Sequence, residues 1–187
     1  MSLLPQRHSY LRRLAPGEYR GAASVHWSMT MKDRRTGWLT PAFGQTFREM
    51  LLHSCARYLV ICPVYCLMPD HLHLLLHGWS EHSDQRLLIG HLRKSLNARL
   101  GAGFELQNQP YDHVLRQEES GPDAFREIAH YIMNNPVRAK LVDLPGVYEF
   151  TGSVIPGYPE LCCKQDDFWL RYWRVHKYVS ARATGGE

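Results

Sequence analysis

The stretch "MPDHLHLLLH" at residues 68–77 places imidazoles at His71, His73 and His77, with leucines between them. A β-strand alternates faces with a period of two. Leu72, Leu74 and Leu76 therefore share one face, and His71, His73, Leu75 and His77 share the other. Same-face neighbours lie about 7 Å apart at the backbone, so two imidazoles can converge on one cation. Neutral imidazole is the commonest metal-binding side chain. The ordinary alternative is a set of half-buried histidines hydrogen-bonded to their neighbours. For an isolated His-x-His that alternative is the better reading, because so short a motif recurs by chance. A third ligand and a reacting group must come from another element.

"HYIMNNP" at 130–136 is the candidate partner. On a helix, Phe125, Ile128, Ala129 and Ile132 form the packing stripe. Tyr131 and Asn135, four apart, share a second face, with Glu127 one turn earlier. Beside a histidine-held cation, a phenol can act as a nucleophile on phosphorus while the cation neutralises developing charge. The amide oxygen of Asn135 can complete the coordination shell. The alternative is a helix-edge tyrosine that covers the core and an asparagine at a helix C-terminus before proline. Composition and spacing alone leave that alternative ahead.

These residues need a scaffold. Residues 23–32, "ASVHWSMTMK", read as a strand, and 41–57 as a helix with Pro41 in its first turn. Residues 58–67 read as a strand in which Pro63 marks an edge or a bulge, and 71–78 as the next strand. Residues 83–100 read as an amphipathic helix capped by Ser83, its buried stripe Leu87, Leu88, His91, Leu92, Ser95 and Leu96. A short strand follows at 111–116, then a helix at 121–135 ended by Pro136. The aromatic, basic segment 167–179 carries Trp169, Tyr172 and Trp173, whose spacing fits a helix packing on the core better than a base-stacking surface. The order β-α-β-β-α-β-α predicts an α+β fold: a ferredoxin-like antiparallel sheet with helices packed on it, plus a C-terminal tail. The expected division is an arm at 1–20, one domain at 21–155 and a tail at 156–187.

Bulk properties narrow the function classes. The chain has 187 residues, 44% hydrophobic and 21% charged, in the range of a globular protein. No run approaches the ~20 apolar residues of a membrane helix, so no membrane partner is expected. The N-terminus, "MSLLPQRHSYLRR", is too short and too charged for a secretory signal, which predicts a cytoplasmic location. Five cysteines, an odd number with no CxxC pair, argue against a disulfide framework or a zinc ribbon. No Walker A pattern is present, so no nucleotide cofactor is expected. The net charge is +4, and the cations cluster among aromatics. Arg34, Arg35, Arg93, Lys94, Arg138 and Lys140 are the candidate contacts to a nucleic-acid backbone.

"YCLMPDHLHLLLHG", then "PYDHVLR", then "HYIMNNPVRAKLV", in that order, resemble the REP-associated tyrosine transposases of the single-tyrosine HUH nuclease superfamily, related to the IS200-like transposases. The resemblance runs from about residue 20 to 155. It implies the ferredoxin-like HUH nuclease fold and a Mg²⁺ or Mn²⁺ ion on His71 and His73, with Asn135 as the third ligand. It implies Tyr131 as the nucleophile and single-stranded DNA hairpins as substrate, cut through a 5′-phosphotyrosine intermediate in DNA transposition. Within the family the REP-associated branch is expected to act as a monomer, whereas related insertion-sequence enzymes assemble across a dimer. Two other readings compete. One is a non-catalytic nucleic-acid-binding module on the same fold. The other is a zinc hydrolase built on His71, His73 and His77.

Overall fold

Val25, Trp27 and Met29 are buried on one side of the first strand, β1 (Ser24–Thr30), while His26, Ser28 and Thr30 alternate with them on the other. That two-residue period gives β1 one apolar face and one polar face. The computed structural model describes residues 13–115 and 121–184. Residues 1–12 of the expected arm, Arg116 of the expected fourth strand, and residues 185–187 lie outside that description.

After β1 come helix α1 (Pro41–Arg57), strands β2 (Val60–Met68) and β3 (His71–Gly78), helix α2 (Gln85–Arg99), strand β4 (Tyr111–Val114), helix α3 (Pro122–Arg138), strand β5 (Thr151–Val154) and helix α4 (Phe168–Thr184). The sheet order is β4-β1-β3-β2-β5, and every pairing is antiparallel. The first four strands carry the ferredoxin-like order, and β5 is added beside β2. The fold is α+β, as the sequence predicts. β5 was not expected: "TGSV" is four residues long and shows no alternation, since all four are buried.

Two apolar layers sandwich the sheet. Phe47, Leu51 and Cys55 of α1 and Leu88, Ile89, Leu92 and Leu96 of α2 pack against Trp27, Leu72, Leu74 and Leu76. On the opposite face Phe125, Ala129 and Ile132 of α3 and Phe168 and Tyr172 of α4 pack against Ile61, Val64, Cys66 and Leu75. β3 is central and buried on both faces, which is why its histidines sit inside the molecule.

Of the two readings open for Pro63, an edge or a bulge, the structure shows the bulge: its strand is paired on both sides and the register slips around it. The bulge releases the Pro63 carbonyl, which accepts from Ser153 Oγ at 2.7 Å. The cap of α2 is Asp84, whose Oδ1 accepts from Leu87 N at 3.0 Å. Ser83 instead ties its loop together: its hydroxyl donates to Leu59 O and accepts from Trp79 N and Ser80 N. Leu87 is 57% exposed, and Ile89 takes the expected place in the buried stripe.

Pro136 does not end α3, which continues to Arg138. A proline here lacks the N–H that would bond the Ile132 carbonyl four residues back. The side chain of Asn135 replaces it, its Nδ2 donating to Ile132 O at 3.4 Å. The helix passes through the proline because the preceding asparagine satisfies the carbonyl the proline leaves free.

At the end of β3 the backbone of Gly21 crosses Gly78 so closely that a Cβ on Gly78 would lie 1.9 Å from Gly21 O. Only glycine permits that approach.

Candidate active site

The antiparallel register places Ser28 opposite His73 and His26 opposite Leu75, so His26 and His73 share the sheet face that α3 covers. A chain of polar contacts runs across this face. Arg34 Nη1 donates to Asp70 Oδ2 at 3.0 Å, and His71 Nδ1 donates to Asp70 Oδ1 at 2.6 Å. His71 Nε2 lies 3.0 Å from His73 Nε2, and His73 Nδ1 lies 3.0 Å from His26 Nε2.

The electrostatics fix most of the protons. Partial burial works against ionisation of Asp70, but hydrogen bonding and charge from His71 and Arg34 outweigh it and hold the carboxyl below its ordinary value. An ionised Asp70 accepts from His71 Nδ1, and the tautomer with its proton there carries its lone pair on Nε2. Burial, reinforced by the neighbouring His26 and His71, pushes His73 down to about 3. Burial, with His113 adding, pushes His26 down to about 4. Both rings are therefore neutral near pH 7 and each carries one proton. With the His73 proton on Nδ1, donated to His26, its Nε2 is also a lone pair aimed at that of His71.

This geometry fits a divalent ion. Two nitrogens bound at right angles, each ~2.1 Å from one ion, lie about 3 Å apart, the separation found between the two Nε2 atoms. The partners on the far nitrogens, Asp70 and His26, are of the kind that orient ligating imidazoles. Among the described residues no group of three His, Cys, Asp or Glu side chains has a metal-holding arrangement. A third protein ligand must then be of another type, such as an amide oxygen. Asn135 is of that type. Its Nδ2 is committed to Ile132 O, which leaves Oδ1 as the acceptor atom, and among the described residues no hydrogen bond joins this side chain to the histidines.

Tyr131 stands over this cluster. Its ring meets His26 edge-on at 6.3 Å and His73 at 6.5 Å between centroids, and it is 46% exposed. The Arg138 guanidinium lies 4.9 Å from its ring centroid. A partly buried pair of imidazoles, an accessible phenol and a guanidinium thus occupy one corner of the molecule. Such an arrangement can bind a phosphodiester and present a hydroxyl nucleophile to phosphorus.

The other sequence candidates separate. Arg34 joins the site through Asp70, and Arg35 Nη1 instead donates to Gly103 O at 2.8 Å. Lys140 is exposed two residues past the end of α3. Arg93 and Lys94 lie on α2, on the opposite side of the sheet from the histidines. Arg93 reaches Gln107 O and Asn108 Oδ1. His77 shares the histidine face but belongs to α4: Tyr172 OH donates to its Nδ1 at 2.7 Å, and His176 stacks on it at 3.9 Å. It lies four residues from His73, about 13 Å along the strand, so the three-histidine zinc reading loses its third ligand. His113 faces the site side, opposite His26.

His26 was not among the residues singled out from sequence. The signal was topological. A ferredoxin-like order puts β1 beside β3, and a histidine on the polar phase of β1 must then neighbour the His-x-His pair.

No protein-family model and no curated protein matches the sequence. Solved structures do. A REP-associated tyrosine transposase bound to a REP hairpin superimposes with a TM-score of 0.64 at 19% identity, covering 76% of this chain and 81% of that one. This chain has the fold of that transposase. A protein of Deinococcus radiodurans R1 assigned as a transposase matches at 15% identity over 70% of this chain and 97% of that one, with a TM-score of 0.43, too low to carry an argument.

Proposed function

We propose that the protein is a metal-dependent single-stranded DNA endonuclease and strand transferase of the transposase type, acting on hairpin-forming REP-type elements. The observation that carries this reading is the convergence of the His71 and His73 Nε2 atoms at 3.0 Å beneath the accessible ring of Tyr131. The transposase fold supports it, and that neighbour's bound REP hairpin makes a DNA hairpin the substrate to try first.

His71, His73 and the Asn135 amide oxygen would hold Mg²⁺ or Mn²⁺. Such an ion supplies Lewis-acid polarisation of the scissile phosphate and neutralises the charge that builds there. Asp70 and His26, hydrogen-bonded to the Nδ1 atoms, orient the two imidazoles. Arg34 holds Asp70 ionised. Tyr131 attacks phosphorus through its hydroxyl oxygen: the new O–P bond joins the tyrosine to the 5′ side of the break, the P–O bond to the 3′ oxygen breaks, and the phenol proton leaves to solvent or the departing oxygen. Arg138, beside the ring, pairs with the incoming phosphate. Reversal by a 3′-hydroxyl rejoins DNA, which is strand transfer with no external energy source.

The test is a covalent-adduct gel with labelled single-stranded hairpins and Mn²⁺. An adduct that survives denaturation and is absent from Tyr131→Phe and His73→Ala is the expected result. Tight hairpin binding with no adduct under any metal condition would favour the non-catalytic binding module instead.

A further inference from the structure

Cys162 and Cys163 are adjacent in the turn that leads from β5 toward α4, and the reaction proposed above does not use them. The turn is anchored on both sides. Gln165 N donates to Cys162 O at 3.0 Å, and Cys162 N donates to Gln165 Oε1 at 3.1 Å. Cys163 N donates to Ser153 Oγ at 2.7 Å, and that hydroxyl donates in turn to the Pro63 carbonyl at the bulge of β2. Cys162 is partly exposed, whereas Cys163 is buried beneath it, and the Cys163 thiol hydrogen-bonds to the Cys162 sulfur. Two cations flank the outer sulfur. Lys164, next in the chain, donates to Tyr148 O, Arg48 of α1 reaches Pro159 O, and the charge of both bears on Cys162. The acids Glu160 and Asp167 of the same segment pair with Arg171. The hydrogen bond from Cys163, helped by the Lys164 N–H and the two charges, outweighs partial burial and brings Cys162 down to about 6. A thiol so placed is mostly thiolate, the nucleophilic form, near pH 7. Cys55, Cys62 and Cys66 are the opposite case: all three are buried, and burial pushes their thiols up.

We propose that Cys162 and Cys163 form a reversible oxidation site for hydroperoxides, with Cys162 the attacking thiol and Cys163 the resolving one. The site is independent of the DNA reading. The Cys162 thiolate attacks the outer oxygen of a hydroperoxide ROOH, the O–O bond breaks, the alkoxide takes a proton from solvent and leaves as ROH, and Cys162 becomes a sulfenic acid. The Cys163 sulfur, already in contact, then attacks the Cys162 sulfur. The S–O bond breaks, and hydroxide leaves as water with the proton of the Cys163 thiol. Two thiols are thereby oxidised to a disulfide and one peroxide is reduced to an alcohol. Cα atoms of adjacent residues lie about 3.8 Å apart, less than the roughly 4.4–6.8 Å of an ordinary disulfide. The bridge is therefore strained, and a strained disulfide is reopened readily by thiol reductants. The pair is suited to switching between two oxidation states, not to stapling the fold.

The test treats the full folded chain with a slight excess of hydrogen peroxide, denatures it, alkylates the remaining thiols and digests with trypsin. Cleavage after Lys140 and Lys164 isolates the pair in the peptide 141–164, "LVDLPGVYEFTGSVIPGYPELCCK", apart from Cys55, Cys62 and Cys66. The expected result is that this peptide alone loses alkylation at both cysteines and regains it after dithiothreitol. In Cys163→Ala the oxidation stops at a sulfenic acid on Cys162, captured by dimedone, and in Cys162→Ala the buried Cys163 stays a thiol. Because Cys163 is buried, Cys163→Ser is made beside Cys163→Ala, and the variant that keeps the wild-type melting temperature is the one read. The wild-type chain decides the matter even if neither does. A Cys162 sulfenic or sulfinic acid that accumulates while Cys163 stays alkylatable overturns the resolving role. A pair left fully alkylatable, oxidation of Cys55, Cys62 or Cys66 ahead of it, or a disulfide-linked dimer on a non-reducing gel overturns the site.

Discussion

His26 offers a sharp perturbation of the site, because on the account above it touches no substrate and acts only through His73. Its Nε2 sits 3.0 Å from His73 Nδ1. His26→Ala removes the acceptor and leaves a donor unpaired on a ring that is only 8% exposed. An unsatisfied buried donor costs about 1–3 kcal/mol. For a domain of this size that is a fall in Tm of about 2–12 °C. Losing an outer partner of a ligating histidine costs about 10- to 100-fold in metal affinity. Mn²⁺ affinity measured by calorimetry on folded protein should therefore fall by that factor, and adduct formation with it, with partial rescue at raised Mn²⁺. His26→Gln, whose side-chain oxygen reaches to a similar distance, should restore most of the affinity. If His26→Ala binds Mn²⁺ within twofold of wild type and forms adduct at the wild-type rate, the proton assignment on His73 is wrong and His26 is a bystander.

Three further outcomes are expected. Pro136→Ala restores a backbone donor to Ile132 O and frees the Asn135 amide; the helix gains about 3 kcal/mol and loses two buried methylenes worth about 1.6 kcal/mol. Tm should rise by a few degrees while Mn²⁺ affinity drops several-fold, and a lower Tm with unchanged affinity would refute the anchoring role of Asn135. Gly78→Ala should destabilise by about 1–3 kcal/mol, as overpacking does, read as a denaturant midpoint shift at constant slope; a shift near zero would contradict the close passage of Gly21. Burial, with His176 adding, pushes His77 down to about 3. Its folded value thus lies below its ordinary value of about 6.5, so stability is level above that pH and falls as pH drops from about 6.5 toward 3, by up to ~1.4 kcal/mol per pH unit. His77→Gln keeps an acceptor for Tyr172 and cannot titrate, so its stability should fall by about 1 kcal/mol per pH unit less over that window; equal slopes would contradict the burial of a neutral ring.

Much of the scaffold was legible because it is written in local periodicity. Helix α1 spans the predicted residues, and the alternation of 71–77 sorted its leucines from its histidines as observed. The failures came where a residue answers to a distant partner. Pro136 reads locally as a helix stop, yet Asn135 makes the helix indifferent to it. Ser83 reads as a cap, yet its hydroxyl is spent on Leu59, twenty-four residues away. Leu87 reads as core, yet the phase of α2 is set by Ile89 and its neighbours against the sheet. β5 is too short and too buried for its sequence to signal it. For the site, spacing put His71 and His73 on one strand face and Tyr131 and Asn135 on one helix face, while their proposed roles came from the family resemblance alone. The Asp70 and His26 contacts that assign the protons needed the sheet register, which no single strand encodes.

The central claim is that Tyr131 forms a covalent bond to DNA. The most direct test is to trap the protein on a single-stranded hairpin with Mn²⁺, digest the DNA to a residual nucleotide, and map the modified peptide by mass spectrometry. Cleavage after Arg126 and Arg138 yields the peptide 127–138, "EIAHYIMNNPVR", which contains one of the ten tyrosines of the chain. The account predicts a phosphonucleotide on that peptide, at Tyr131. A nucleotide on any other tyrosine, or a cleaved strand with no protein attached, would contradict it.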